Sequence, residues 1–241
     1  MSKLNQNEII EQGRKVVQIE GESIIELIDR IDNSFYEAVK LIFNSKGRVV
    51  FTGMGKSGLI ARKIVATLNS TGTASIFMHP TDATHGDLGM VRKEDIVILI
   101  SKSGYTEELY KLVPMFKRIN VPLIAMTGNK NSKIAQLCDI VLDCGVKEEA
   151  CPYDLAPTAS TTAALVIGDA LAIVLLEMRG FTAEDFALLH PAGSLGKRLS
   201  LKISEIMYKD DDVPIVHEDT SIKDTIIVIT SKRLGTTAVV D

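Results

Sequence analysis

Apolar positions recur at helical spacing through the first forty residues: Ile9, Val16 and Val17, then Ile24, Ile25, Leu27 and Ile28, then Phe35, Val39 and Leu41. Past Phe43 the rhythm changes to short apolar runs rich in β-branched residues, at 48–52, 74–77, 95–100, 122–126 and 139–142. Helical patterns at 59–69, 107–119 and 133–137 separate several of these runs. Strands alternating with helices predict an α/β fold, with about five parallel strands covered by helices on both faces and joined by right-handed crossovers. The stretch 160–178 is apolar on nearly every helical face and stops at Gly180, with a shorter helix expected at 183–189. A helix of that kind is buried, in a core or against another subunit. Residues 191–196 form a loop by composition. Beyond Leu201 the character shifts again, through an acidic turn at Asp210, Asp211 and Asp212 to a strand-like run at 237–241. We read two domains, 1–200 and 201–241, the second cut part-way through.

Composition narrows the function classes. Of 241 residues, 27 are Lys or Arg and 31 Asp or Glu, a net charge of −4 that argues against a nucleic-acid-coating protein. Seven Phe, five Tyr and no Trp leave little for base- or sugar-stacking platforms. The polar start of the chain predicts no signal segment, and the apolar stretch after Ser160 is broken by Asp169 and too short to span a bilayer. Cys138, Cys144 and Cys151 are an odd set without C-x-x-C spacing, which fits reduced thiols better than a disulfide framework or a zinc ribbon. The expected setting is cytoplasmic, with no membrane and no nucleic acid as partner.

Four segments could carry chemistry. Thr52-Gly53-Met54-Gly55-Lys56-Ser57-Gly58 lies between a predicted strand and a helix. A P-loop also needs glycine where Val50 stands, and the Rossmann pattern that Gly53, Gly55 and Gly58 do match lacks its acidic ribose residue about 20 positions on. Ser101-Lys102-Ser103-Gly104-Tyr105-Thr106 follows the third apolar run and opens a helix. Hydroxyls and free N–H groups at a helix start make an anion site suited to a phosphate monoester, although Thr106 could serve as a plain N-cap. Glu149 begins a loop that leads through Thr158 and Ser160 into the apolar helix, and most of these hydroxyls read as caps. His190 stands where a helix breaks into a glycine-rich loop, a candidate proton carrier near neutral pH. His79 and His85 flank Asp82 and are candidate ligands for a shared metal.

Together the motifs T-G-M-G-K-S-G at 52–58 and S-K-S-G-Y-T at 101–106 resemble the SIS (sugar isomerase) domain family. A-T-H-G-D-L-G-M at 83–90, E-A-C-P at 149–152, A-P-T-A-S-T-T at 156–162 and H-P-A-G-S-L-G at 190–196 narrow the likeness to its arabinose-5-phosphate isomerases, over nearly the whole chain up to Leu201. Residues 203–241 are similar to the first half of a CBS module, which complete members carry as a pair. Tyr105 stands where many SIS sequences have Glu, leaving the loop's hydroxyls intact. The resemblance implies a flavodoxin-like sheet and interconversion of D-ribulose 5-phosphate and D-arabinose 5-phosphate through a cis-enediol, feeding synthesis of the lipopolysaccharide sugar Kdo. It places Gly55, Ser57, Ser101, Lys102, Ser103 and Thr106 on phosphate or sugar hydroxyls, and Lys56, Glu108, Glu149 and His190 at catalytic positions. Glu149 is assigned as base, His190 to ring opening and oxygen protonation, Lys56 to negative charge and Glu108 to orienting its partners, with His85 a rival acid/base. No cofactor is required, and a bound or inhibitory divalent metal would fall on His79 and His85. A homotetramer is expected, with His190 reaching a neighbour's pocket, and a nucleotide ligand belongs to a complete CBS pair. The alternatives are another phosphosugar isomerase and a non-catalytic sugar-phosphate sensor.

Overall fold

The structure is a computed structural model that describes residues 4–191 and 203–241. The chain divides into two compact units, Met1–Leu189 and His190–Asp241, so the division falls before the expected boundary at 200/201. That boundary and most of the 190–196 loop motif lie outside the described residues.

The first unit opens with α1 (Gln6–Ile25) and α2 (Asn33–Asn44), parted by a 3-10 turn at Ile28–Arg30. Asn5 and Asp32 cap them by accepting the N–H groups of Glu8 and Ser34. Five parallel strands follow: β1 (Val49–Gly53), β2 (Ser75–Phe77), β3 (Ile96–Ser101), β4 (Leu123–Thr127) and β5 (Ile140–Asp143). The connecting helices are α3 (Gly55–Ser70), α4 (Pro80–Ala83), α5 (Glu107–Ile119) and α6 (Lys133–Leu137), and α7 (Ala159–Met178) and α8 (Ala183–Leu189) close the unit.

Each strand begins one residue later than its apolar run, and four also end one later. Hydrophobicity and the hydrogen-bond ladder are offset for a reason visible at both ends. At the start, Asp95 and Asp139 turn their carboxylates to the backbone N–H of Arg48 and Leu123, fastening the entry edge of the sheet. At the finish, the ladder runs on into Gly53, Ser101, Thr127 and Asp143. Those residues stop the apolar pattern but keep their backbone pairing.

Both sheet faces are covered, so the strands read as continuous apolar runs. Val49, Phe51, Ile98, Ile100, Ile124 and Met126 pack with α2, α3 and α7, while Val50, Val97, Leu99, Leu123 and Ala125 pack with α4, α5 and α6. Helix α7 is long and apolar enough by composition to cross a membrane, yet half of that span is buried in this core. Most of its other residues are half-buried and Ile173 and Met178 are exposed, as are Val17 and Ile25 of α1, so burial of α7 on every side is not met within one chain. The strand order β2-β1-β3-β4-β5 is the flavodoxin-like arrangement, and the winding reverses between β1 and β3. A crevice opens there beyond the carboxyl ends of the strands, where ligands of doubly wound sheets bind.

The described part of the second unit comprises α9 (Ile203–Ile206), a 3-10 turn at Asp210–Asp212, β6 (Ile215–His217), α10 (Ile222–Lys232) and β7 (Ala238–Val240), with β6 and β7 parallel.

Candidate active site

The turn after β1 is tight because two glycines meet. A Cβ at Gly58 would stand 2.6 Å from the carbonyl oxygen of Gly53, closer than any side chain tolerates. This contact starts α3 at Gly55, four residues before the helix expected at 59–69, so Lys56 and Ser57 stand on its first turn. Lys56 is exposed and Ser57 half-buried. No side chain caps α3: its N-cap is Met54, and its first N–H groups are left for another acceptor.

Beyond β3 the second turn repeats the device. Gly104 has φ +69°, and a Cβ there would fall on the Ser132 hydroxyl. Ser101 accepts the Gly104 N–H at 3.0 Å, and Ser103 accepts the Tyr105 N–H at 3.2 Å. Thr106 is the N-cap residue of α5, but its hydroxyl makes no cap bond. It pairs with the Ser101 hydroxyl at 2.7 Å instead. The sequence left Thr106 as either a cap or a ligand-binding hydroxyl, and the structure does not use it for capping. By contrast α1, α2, α4 and α6 all carry side-chain caps. The two open helix starts therefore sit side by side at the reversal of the sheet, and their N–H groups and hydroxyls form a cradle of the kind that suits an anion. Ser103 and Glu108 are exposed at its rim.

Glu149 enters from the loop after β5, and its side chain is fully buried. One carboxylate oxygen accepts the Thr158 N–H at 2.8 Å, the Thr158 hydroxyl at 3.2 Å and the Ser160 N–H at 3.1 Å. The other takes the Ser160 hydroxyl and the Lys102 ammonium, the latter at 2.7 Å. Thr158 and Ser160 thus serve the carboxylate rather than capping α7 with their own oxygens. Glu149 itself satisfies the start of that helix across the chain. Burial acts to raise its pKa, but the Lys102 ammonium, the Ser160 hydroxyl and the two N–H groups outweigh it and hold the carboxyl down to about 2. Lys102 is pushed the other way, above its ordinary value, because pairing with Glu149 and Asp154 overrides its own desolvation.

Lys102, Ser57 and Ser160 line one cavity of about 30 Å³ with Thr127, Gly128 and Thr161. That is room for a water-sized group. Cys144 also lines it, its thiol pushed up to about 12 by burial and so held neutral. Gly55, Ser57, Ser101, Lys102, Ser103, Thr106, Lys56 and Glu108 all stand on the β1 and β3 turns, and Lys102 joins Glu149 to them. His190 follows α8 as the first residue of the second unit. His79 is the N-cap of α4, its Nδ1 accepting the Thr81 N–H at 3.3 Å, and His85 lies exposed just beyond that helix. Among the described residues no three His, Cys, Asp or Glu side chains gather to hold a metal, and the metal expected at His79 and His85 gains no third ligand. Missing from the sequence reading were Asp154, which pairs with Lys102 at 3.5 Å, and Thr127 at the end of β4. The polar residue closing an otherwise apolar run was a signal for Thr127. Nothing local marks Asp154.

A profile of the SIS domain family matches residues 41–174, which include β1 through most of α7. The chain is 51% identical over 229 residues to arabinose 5-phosphate isomerase KdsD of Salmonella typhi, covering 95% of this chain and 70% of the relative. The KdsD protein of Pseudomonas aeruginosa is 48% identical over 239 residues, covering 99% and 73%. Among solved structures, E. coli CFT073 c3406 in complex with arabinose 5-phosphate superposes with a TM-score of 0.76 at 44% identity, covering 78% of this chain and all of that one. The flavodoxin-like sheet, the two open helix starts at its reversal and these likenesses agree: the chain belongs to the SIS domain family.

Proposed function

We propose that this protein is an aldose–ketose isomerase that interconverts D-ribulose 5-phosphate and D-arabinose 5-phosphate for Kdo and lipopolysaccharide synthesis. The observation that carries the reading is the meeting of an uncapped phosphate cradle and an ionised, sequestered carboxylate, Lys102 touching the one while standing in the other. A sensor needs the cradle but has no use for the carboxylate. The Salmonella and Pseudomonas relatives bear this activity in their names.

In the reaction a proton leaves C2 of the aldose, the cis-enediol forms, and a proton returns at C1. The furanose is opened first, and the oxygens at C1 and C2 exchange a proton. Gly55, Ser57, Ser101, Lys102, Ser103 and Thr106 anchor the phosphate, so that remote binding orients the reacting carbons. Glu149 moves the carbon-bound proton, His190 serves ring opening and the oxygens, Lys56 stabilises the enediolate, and Glu108 orients them. The exposed apolar residues of α1 and α7 support a homotetramer in which His190 completes a neighbour's site. The βαβ pattern of 215–240 supports a CBS half-module, and three free cysteines support a cytoplasmic setting.

The test is turnover of ribulose 5-phosphate in the presence of EDTA, run in D₂O. Isomerisation with deuterium entering the transferred position is expected. Activity that vanishes in EDTA, with no exchange from solvent, points to a metal hydride shift and overturns the reading.

A further inference from the structure

Glu149 poses a problem for any proton transfer at neutral pH. A carboxylate gripped by an ammonium and four other donors holds protons too weakly to accept one from carbon. Something must loosen the grip when substrate is present. Of those donors only Lys102 comes from the phosphate loop, where it stands between Ser101 and Ser103. Its backbone is fixed, since its carbonyl accepts the Gly128 N–H at 3.0 Å. Its side chain is mobile by comparison, 41% exposed at the head of a four-carbon stem, whereas Glu149 is wholly buried. An ammonium has three N–H bonds: one meets Glu149 at 2.7 Å and a second points to Asp154 at 3.5 Å.

We propose that Lys102 is a shared counter-ion, drawn from the Glu149 carboxylate toward a phosphate dianion when the sugar phosphate binds, so that binding frees Glu149 for the reaction. The inference rests on the functional reading above and deepens it. Lys102 becomes a positioning residue that makes proton transfer conditional on the phosphate. Among the described residues the charged groups facing Glu149 leave no substitute: beside Lys102 stands Asp154, with Lys15 and Glu148 in the groove outside. Loss of the ammonium removes one of the groups that oppose burial and leaves the Thr158 and Ser160 donors in place, so the carboxylate gains proton affinity. Linkage then requires that a dianion entering the cradle carry protons in with it.

Inorganic sulfate is the probe, since it is a dianion at every pH of the assay and does not react. Titration calorimetry on the full chain at pH 5, in two buffers of different ionisation enthalpy, counts the protons taken up per site. Uptake of a measurable fraction of a proton is expected, bounded by the roughly 0.2 proton that a glutamate at its ordinary pKa carries at that pH, since the Thr158 and Ser160 donors stay in place. Lys102→Met and Glu149→Gln should each lose the uptake, and Lys102→Arg should keep it. Sulfate binding without uptake in the wild type, equal uptake in the Gln variant, or no sulfate binding at all overturns the inference. Arabinose 5-phosphate turnover on the same preparation tells the two failures apart: turnover without uptake rejects the counter-ion and leaves the isomerase reading standing, and uptake without turnover does the reverse.

Discussion

Replacing Glu149 by Gln should destabilise the protein in a manner that depends on pH, and the size of the effect can be worked from its surroundings. The carboxyl sits at about 2 in the folded chain against an ordinary 4.5. A depression of that size makes folding more favourable by about 3 kcal/mol at neutral pH. The sign follows from linkage. The folded pKa lies below the unfolded one, so the stabilisation is complete above about pH 5 and drains away as pH falls toward 2. At pH 3 roughly 1.5 kcal/mol should remain. The amide cannot titrate and turns an NH₂ toward Lys102 or toward the N–H groups of α7. Its own stability gap to wild type should therefore be about 2–4 kcal/mol at pH 7 and about half that at pH 3. Urea unfolding at pH 7, 4 and 3, at one protomer concentration, gives the gap directly if the m-values agree. Asp95 and Asp185 also have lowered pKa values, but they titrate alike in both proteins and cancel in the difference. A gap of zero at pH 7, or one that does not shrink in acid, would refute the account of Glu149 as the charged cap of α7.

Three further outcomes are expected. Glu149→Gln and His190→Ala should each lower kcat by about 100-fold or more while the far-ultraviolet circular dichroism stays that of the wild type, and wild-type rates in both would reject the proton-transfer roles. Ser103→Ala and Thr106→Ala should each cost about 1.5–3 kcal/mol of sugar-phosphate binding and leave the unphosphorylated sugar equally poor; unchanged affinity of the double variant for arabinose 5-phosphate moves the anion site elsewhere. Mixing inactive Lys56→Ala chains with inactive His190→Ala chains should restore part of the activity, since some mixed sites regain both groups. Light scattering that shows an active monomer, or exchanged subunits that stay inactive, places each site within one chain.

The sequence by itself determined the elements and their class, because those depend on neighbours a few residues apart. Alternating apolar runs and helical patterns located all five strands to within a residue, and 107–119, 133–137 and 183–189 became helices with those very ends. The hydroxyl-rich turn at Ser101–Thr106 was legible for the same reason, since a helix start reads its own few residues. Only the tertiary structure decided what those groups do. Strand order brings the β1 and β3 turns side by side, and no local pattern encodes that order. Gly58 sets the start of α3 through a backbone it meets only when the turn closes. Thr158 and Ser160 look like caps from within their own segment, and are claimed by Glu149 from outside it. Lys102 and Glu149 lie 47 positions apart, and their 2.7 Å contact exists only once β3, β4 and β5 have been laid down in register. Charge and proton affinity are set by such contacts: an ammonium in water and the same ammonium against a buried carboxylate are different chemical groups, and the fold decides which is present.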